Sequence, residues 1–235
     1  MSVKSRQGSG PAWPAHARHT AQQAARRRFA WLRAALAVTA CVALGGCALL
    51  DKPVRPAVYD FGPGALEVPA ANNVAPQAVV ALPEVEAGSA LDSTAVLYRL
   101  AYADTQQLLP YAHARWSMTP AQLVRQRLRE SLGQRYTVLI PGDGHVTGAT
   151  PALVLRVELE EFSQLFDAPN HSVGLVRLRA TVVRGSGVGD KLLGQRSFAV
   201  QRPAPTADAP GGVRALTAAS NAAVEEIERW LTQLR

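Results

Sequence analysis

Residues 153–160, LVLRVELE, and residues 176–182, VRLRATV, decide the fold. In both segments apolar residues recur at every second position, and most of the residues between them are polar or charged. A period of two is typical of a strand with one buried face. If the two strands pair antiparallel, acidic side chains of the first can face basic side chains of the second on the solvent side: Glu158, Glu160, Arg177 and Arg179.

Weaker β patterns flank this pair of strands. We expect further strands at about 79–85, 95–102, 136–140 and 191–200, with residue 185 beginning the glycine-rich turn GSGVGD before the last strand. In the strand at 95–102, Val96, Leu100 and the rings of Tyr98 and Tyr102 share one face at a period of two.

Two segments have the pattern of helices. Thr119-Pro120-Ala121-Gln122 begins the first, since threonine can cap it, proline suits its first position and glutamine can complete a capping box. Apolar residues at i, i+4 and i+8 follow, and Gly133 ends the helix. The second helix is predicted at about 212–234, with an apolar stripe that Ser220 interrupts: Val213, Leu216, Ala223, Ile227, Trp230 and Leu234.

Together these elements predict an α+β fold: a single-layer, antiparallel-rich sheet with two helices packed on one face. The stripe of the second helix would also suit a partner helix, although a helix more commonly packs on the sheet of its own domain.

The charge distribution separates the first 46 residues from the rest. The chain has a formal net charge of +7, and residues 1–46 hold seven basic and no acidic side chains. Residues 47–235 therefore hold 18 basic and 18 acidic side chains, a net charge of zero. Since the basic charge lies in the leader, the remaining domain has no overall field that would attract nucleic acid.

The leader has the parts of a secretory signal peptide. Residues 26–28 are three arginines, and the apolar stretch 34–44 is about 11 residues long, too short for a helix to span a bilayer of about 30 Å. The stretch ends in a sequence that resembles a lipobox, the signal peptidase site of lipoproteins: Leu44, Gly45, Gly46 and Cys47. We expect Cys47 to carry diacylglycerol and an N-acyl chain. The run RRRF at 26–29 also resembles a twin-arginine export signal, so the export route stays open.

The leader also predicts where the protein resides. Ala48, in place of an aspartate, follows the lipidated cysteine, which by analogy with known sorting rules favours the outer membrane. We expect a signal peptide at 1–46, a lipidated proline-rich tether at 47–76 and one domain at 77–235. Within the tether, Tyr59-Asp60-Phe61-Gly62-Pro63 can be either a turn or a docked strand.

The remaining domain offers no recognisable catalytic pattern. Its histidines, His113, His145 and His171, fall in separate predicted loops without metal-ligand spacing, and no nucleophile motif is present. Cys41 is removed with the leader and Cys47 is acylated, which leaves no disulfide and no thiol metal site. We therefore expect no enzyme, no metal and no cofactor beyond the acyl chains.

The segments 98–104, YRLAYAD, and 111–116, YAHARW, stand before the capped helix. A tyrosine-bearing strand, a loop that ends in Arg-Trp and a helix rich in leucine and arginine, in this order behind a lipobox, resemble the PqiC-like ABC-type transport auxiliary lipoprotein component family. The YDFGP sequence at 59–63 is similar to the beginning of that family's domain. The resemblance spans about residues 59–235.

This resemblance implies a non-enzymatic adaptor, anchored in the outer membrane and facing the periplasm. Its implied partners are an MCE-domain protein and ABC-type or related inner-membrane components that move lipids between the membranes, and it implies a homo-oligomer. Because aromatic and arginine side chains dominate interfaces, the candidate contact residues are Tyr98, Tyr102, Tyr111, Arg115 and Trp116. Ordinary packing is the alternative role of these residues, and an outer-membrane assembly or scaffold lipoprotein is the alternative function.

Overall fold

The computed structural model describes residues 54–64, 78–139, 153–185 and 189–234. The predicted signal peptide and lipidation site, with Leu44, Gly45, Gly46 and Cys47, lie outside these residues, as does His145. Within the described ranges, no helix is long and apolar enough to cross a bilayer.

Nine strands and two helices make up the described part of the domain. The strands are β1 Ala57–Tyr59, β2 Val79–Ala81, β3 Glu86–Ala87, β4 Ala95–Leu100, β5 Asp104–Trp116, β6 Thr137–Leu139, β7 Leu153–Ala168, β8 His171–Arg184 and β9 Lys191–Pro203. The helices are α1 Pro120–Leu132 and α2 Ala209–Gln233. The predicted α+β class is confirmed.

Strand β7 organises the sheet. It pairs antiparallel with β8 along one edge, and β8 pairs antiparallel with β9. The other edge of β7 is shared by β2, β3 and β4, which all run parallel to it. Beyond β4 follow β5, antiparallel, and then β1, parallel to β5, while β6 pairs in parallel with β2. The longest pairings are antiparallel, as expected, and the short ones on the far edge of β7 make the sheet mixed.

The charged face that was expected across β7 and β8 is present. Glu158 is in register with Arg179, and these side chains approach to 3.9 Å. A register shift between Leu159 and Glu161 lets Glu160 bind both Arg177, at 3.2 Å, and Arg179. On the opposite face, the apolar residues of β7 and β8 are buried beneath helix α2.

Both helices begin with a side-chain cap. In α1 the capping box of Thr119 and Gln122 forms as expected, and Gly133 is the C-cap residue. Helix α2 begins three residues earlier than predicted, because the Asp208 carboxylate accepts a hydrogen bond from the Gly211 amide at 2.8 Å. The Ser220 hydroxyl donates to the Leu216 carbonyl at 2.8 Å, which satisfies the polar residue in the buried stripe.

The segment expected to be a loop before Arg115 and Trp116 is strand β5, which corrects that prediction. Ala95 pairs with Arg115 and Leu100 pairs with Asp104, so six residues of β4 face twelve of β5. The extra residues form two bulges and remove the alternating pattern on which a sequence-based strand prediction depends. Strand β5 also contains Pro110, which is tolerated where the outer edge of the strand has no partner. His113 and His171 consequently lie in strands and not in loops.

The predicted tether contains the first strand of the fold. Each of the two alternatives holds for a part of residues 59–63. Tyr59 is the last residue of β1, which pairs with residues 114–116 of β5, whereas residues 60–63 turn the chain, with Gly62 at a φ of 73°. Phe61 lies in the core and is 8% exposed. Residues 57–64, which we expected in the tether, therefore belong to the described fold, and residues 65–77 lie outside the described residues.

Candidate functional site

The candidate contact residues lie along the hairpin formed by β4 and β5. We call its turn, residues 101–104, the hairpin tip. We call its other end, where Ala95 pairs with Arg115 and where β1 joins β5, the hairpin base. Five residue steps of β4 separate the two ends, a distance of about 17 Å.

The hairpin base is closed by an aromatic cluster. Trp116 is 1% exposed. Its ring lies 5.7 Å from that of Phe61 and 5.6 Å from that of Phe162, both in edge-on geometry. Trp116 is therefore a core residue, and the prediction that it contacts a partner is wrong.

Residues 59–61, through which the chain enters the domain, are hydrogen-bonded at the hairpin base. The Ser117 amide donates to the Tyr59 carbonyl at 2.7 Å, and the Arg127 guanidinium donates to the Phe61 carbonyl at 2.8 Å. The first bond joins β1 to the end of β5, and the second joins the segment after β1 to helix α1. Both lie within a few residues of residue 54, where the described chain begins.

The middle of the hairpin holds a partly buried tyrosine pair. The rings of Tyr98 and Tyr111 lie 4.6 Å apart, and the Tyr111 hydroxyl donates to Gln164 Oε1 at 2.8 Å. Gln164 is fully buried, and its Nε2 donates to the Ser172 hydroxyl at 2.8 Å. Burial raises the pKa of Tyr111 to about 12, and the neighbouring Tyr98 and Asp208 add to this increase.

Helix α2 rests directly on this polar chain. A Cβ atom placed on Gly212 would lie 2.1 Å from Gln164 Oε1, so only glycine allows the first turn of α2 to approach so closely. The sequence reasoning missed Gln164 and Ser172, because single polar residues within a strand carry no signal of a buried hydrogen-bond chain.

The hairpin tip presents Tyr102 to solvent on a braced turn. The side chain of Tyr102 is 48% exposed. Arg99 supports the turn from behind: it pairs with Glu161 at 3.0 Å and donates to the carbonyls of Thr105 and Gln106 at 3.3 and 3.2 Å. The structure thus separates the five candidates: Trp116 is buried, Tyr98 and Tyr111 are half-buried, and Tyr102 and Arg115 are exposed.

A histidine and an aspartate lie close together outside the hairpin. His171 Nδ1 lies 2.6 Å from Asp167 Oδ1 at the exposed β7–β8 turn, and this hydrogen bond lowers the pKa of Asp167. In the part of the chain that the structure describes, no three His, Cys, Asp or Glu side chains are placed so that they could hold a metal ion.

Solved structures share this fold at low sequence identity. The DUF330 protein XCC0632 from Xanthomonas campestris is 16% identical with a TM-score of 0.57, over 69% of this chain and 90% of that protein. A second crystal structure, of an uncharacterized protein, is 13% identical with a TM-score of 0.55, over 75% of this chain and 99% of that one. At such identities the likeness shows the fold alone. A search of curated proteins finds no significant match.

The family assignment comes from the sequence of the domain itself. The model of the ABC-type transport auxiliary lipoprotein component family matches residues 59–228, which begin at the last residue of β1 and include the aromatic cluster, the hairpin and most of α2. This match covers well over half of the chain and agrees with the resemblance seen in its motifs. The protein therefore belongs to the ABC-type transport auxiliary lipoprotein component family.

Proposed function

We propose that this protein is a non-enzymatic adaptor of an intermembrane lipid-transport system, anchored in the outer membrane and facing the periplasm. In this proposal it joins an MCE-domain protein and an ABC-type or related inner-membrane component that together move lipids between the membranes. The observation that carries the proposal is the family match over residues 59–228.

The leader supports the lipid anchor. Its basic run, its short apolar stretch and the sequence Leu44-Gly45-Gly46-Cys47 occur in the order that lipoprotein export requires. Acyl chains on Cys47 would each contribute about 0.8 kcal/mol per buried CH₂ group, and more than one chain makes anchoring stable.

The hairpin tip supports a role in binding a partner protein. Tyr102 is the most exposed aromatic residue of the candidate set, and Arg99 donates hydrogen bonds to the Thr105 and Gln106 carbonyls directly after the turn. A rigid, exposed tyrosine loses little entropy on binding and can fill a pocket on a partner. We therefore assign the protein partner to the hairpin tip. Tyr98 and Tyr111 lie in the middle of the same hairpin.

The outer edge of β9 supports the proposed homo-oligomer. Among the described strands, none pairs with this edge, which is 13 residues long and bears Lys191, Arg196 and Arg202 without an acidic residue. Unpaired strand edges recruit other strands. Two copies of β9 would bring like charges together, so we expect β9 of one copy to meet a different surface of the next.

A crosslinked pull-down from detergent-solubilised membranes tests the function. The native lipoprotein is the bait, and the Cys47→Ser variant, which cannot be acylated, is the matched control. Recovery of an MCE-domain protein with an ATPase or permease by the native bait supports the proposal. Recovery of outer-membrane assembly proteins alone contradicts it and favours the scaffold function. Incorporation of labelled palmitate and separation of inner from outer membranes test the anchor and its location.

A further inference from the structure

The distance between the expected lipid anchor and the fold is short. Strand β1 begins at Ala57, ten residues after Cys47. Even a fully extended chain of ten residues reaches at most about 36 Å. A domain of this size is about 40 Å across. The edge that carries β1 therefore stays within about 36 Å of the membrane, less than the width of the domain, whereas other parts of the domain can lie farther away.

The surface at β1 has an unusual composition. Val58 is 61% exposed, and among the large apolar side chains of the described residues only Val54 and Leu192 are as exposed. It lies in register with Arg115, and Arg55 precedes it by three residues. Neither arginine makes an ion pair or a side-chain hydrogen bond with the described part of the chain. The nearby Asp60 carboxylate accepts from the Gly62 amide at 2.8 Å. We call Arg55, Val58 and Arg115 the β1 strip.

We propose that the β1 strip rests on the phosphate-bearing headgroups of the membrane that holds the lipid anchor. Guanidinium groups bind phosphate oxygens through two parallel hydrogen bonds, and the exposed apolar side chain in register with Arg115 can enter the interface. The inference depends on the proposed lipidation of Cys47 and adds to it a defined orientation of the domain. It also assigns Arg115 a lipid partner, whereas Tyr102 faces the protein partner.

The opposite edge of the sheet provides a matched comparison. Leu192 on β9 is also 61% exposed and lies near Lys191 and Arg196. Its composition resembles that of the β1 strip, but five strand spacings, about 24 Å, separate the two edges. The β1 strip differs from the surface at Leu192 in its short connection to Cys47. A probe at position 58 and a probe at position 192 therefore test the role of the tether directly.

The first experiment measures which part of the domain approaches the membrane. The mature chain has no cysteine besides Cys47. The lipidated protein is therefore labelled with a fluorophore at Val58→Cys, Leu192→Cys or Tyr102→Cys and placed in phosphatidylglycerol and phosphatidylethanolamine vesicles that contain a headgroup-linked quencher. We expect several-fold stronger quenching at position 58 than at positions 192 and 102. Equal quenching at the three positions, or the strongest quenching at 192 or 102, overturns the proposal.

The second experiment separates headgroup binding from proximity alone. Reversing both charges, Arg55→Glu with Arg115→Glu, should lower the quenching at position 58, whereas Arg229→Glu, an exposed arginine of α2, should leave it unchanged. Inserting twenty Gly and Ser residues after Leu50 should reduce the quenching further in the charge-reversed protein, since neither the tether nor the arginines then hold the strip. Quenching at position 58 that survives the charge reversal and the insertion together overturns the headgroup contact.

Failure of this inference can be told from failure of the proposed function. If Cys47 incorporates no palmitate and the protein leaves the vesicles, both are contradicted. If the protein is acylated and captures its transport partners but position 58 is not quenched, only the orientation is wrong.

Discussion

The two ends of the β4–β5 hairpin contain similar aromatic residues in opposite environments. At the base, Trp116 is 1% exposed, because β1 and α1 close over it and Phe61 and Phe162 pack on its ring. At the tip, Tyr102 is 48% exposed. An aromatic residue on this hairpin thus stabilises the fold or remains available for binding according to what covers its strand. We infer that stability is concentrated at the base and recognition at the tip.

The largest expected effect is at the base. Replacing Trp116 with alanine removes a buried ring and leaves a cavity between Phe61 and Phe162, so we expect the free energy of unfolding to fall by about 3–5 kcal/mol. Urea denaturation of the mature domain measures this change.

The neighbouring residue provides the control for Trp116. Arg115 is exposed, and Arg115→Ala should change the free energy of unfolding by no more than about 0.5 kcal/mol. If the two variants are equally stable, the aromatic cluster does not hold the base closed.

A smaller effect is expected in the middle of the hairpin. Tyr111→Phe removes the hydroxyl that donates to the buried Gln164 at 2.8 Å, which should lower the free energy of unfolding by about 1–2 kcal/mol. Tyr98→Phe is the matched control, because the Tyr98 hydroxyl makes no hydrogen bond with the described residues while its ring packs against that of Tyr111 in a tilted geometry. Equal losses in both variants would mean that the bond to Gln164 contributes nothing, and denaturation by urea distinguishes the two outcomes.

The sequence predicted those parts of the fold whose pattern repeats. Residues 153–160 and 176–182 alternate regularly, so the pairing of β7 with β8 was predicted, although both strands extend beyond these segments. The capping residues of α1 lie within four positions of one another, and this cap was predicted correctly. Strand β5 was missed because its bulges break the alternation. The beginning of α2 was missed because Gly211 and Gly212 are poor helix formers. These glycines allow close contacts with Thr206 and Gln164 that exist only in the folded chain.

For the candidate site, the sequence selected residues that lie on one hairpin, but it did not predict which of them the fold buries. Composition marks aromatic residues and arginines as suited to interfaces, yet it cannot tell which of them the rest of the fold covers. Trp116 is buried by Phe61, a residue 55 positions earlier in a segment that was expected to be tether. Long-range contacts of this kind leave no local pattern in a single sequence.

The tyrosine pair also predicts a dependence on pH. Burial raises the pKa of Tyr111 from 10.0 to about 12, so the folded state favours the neutral phenol. The stability that this preference confers is complete below pH 10. It is lost as the pH rises towards about 12, because the unfolded chain ionises first. We therefore expect the urea midpoint of the wild type to fall more steeply than that of Tyr111→Phe above about pH 10. Parallel curves for the two proteins would contradict the shift.

The smallest effect on stability is expected at the tip, where the effect on function should be greatest. Tyr102 is half exposed and lies in a turn that Arg99 braces through backbone carbonyls, so Tyr102→Ala leaves that support intact. We expect its free energy of unfolding to stay within about 0.5 kcal/mol of the wild type. Capture of the transport partner in the crosslinked pull-down should fall severalfold, whereas Arg229→Ala, an exposed position on α2, should capture it normally. If Tyr102→Ala captures the partner as well as the wild type does, the tip is not the recognition site. If the variant also unfolds more easily, the tip contributes to stability after all, and the division between base and tip is wrong.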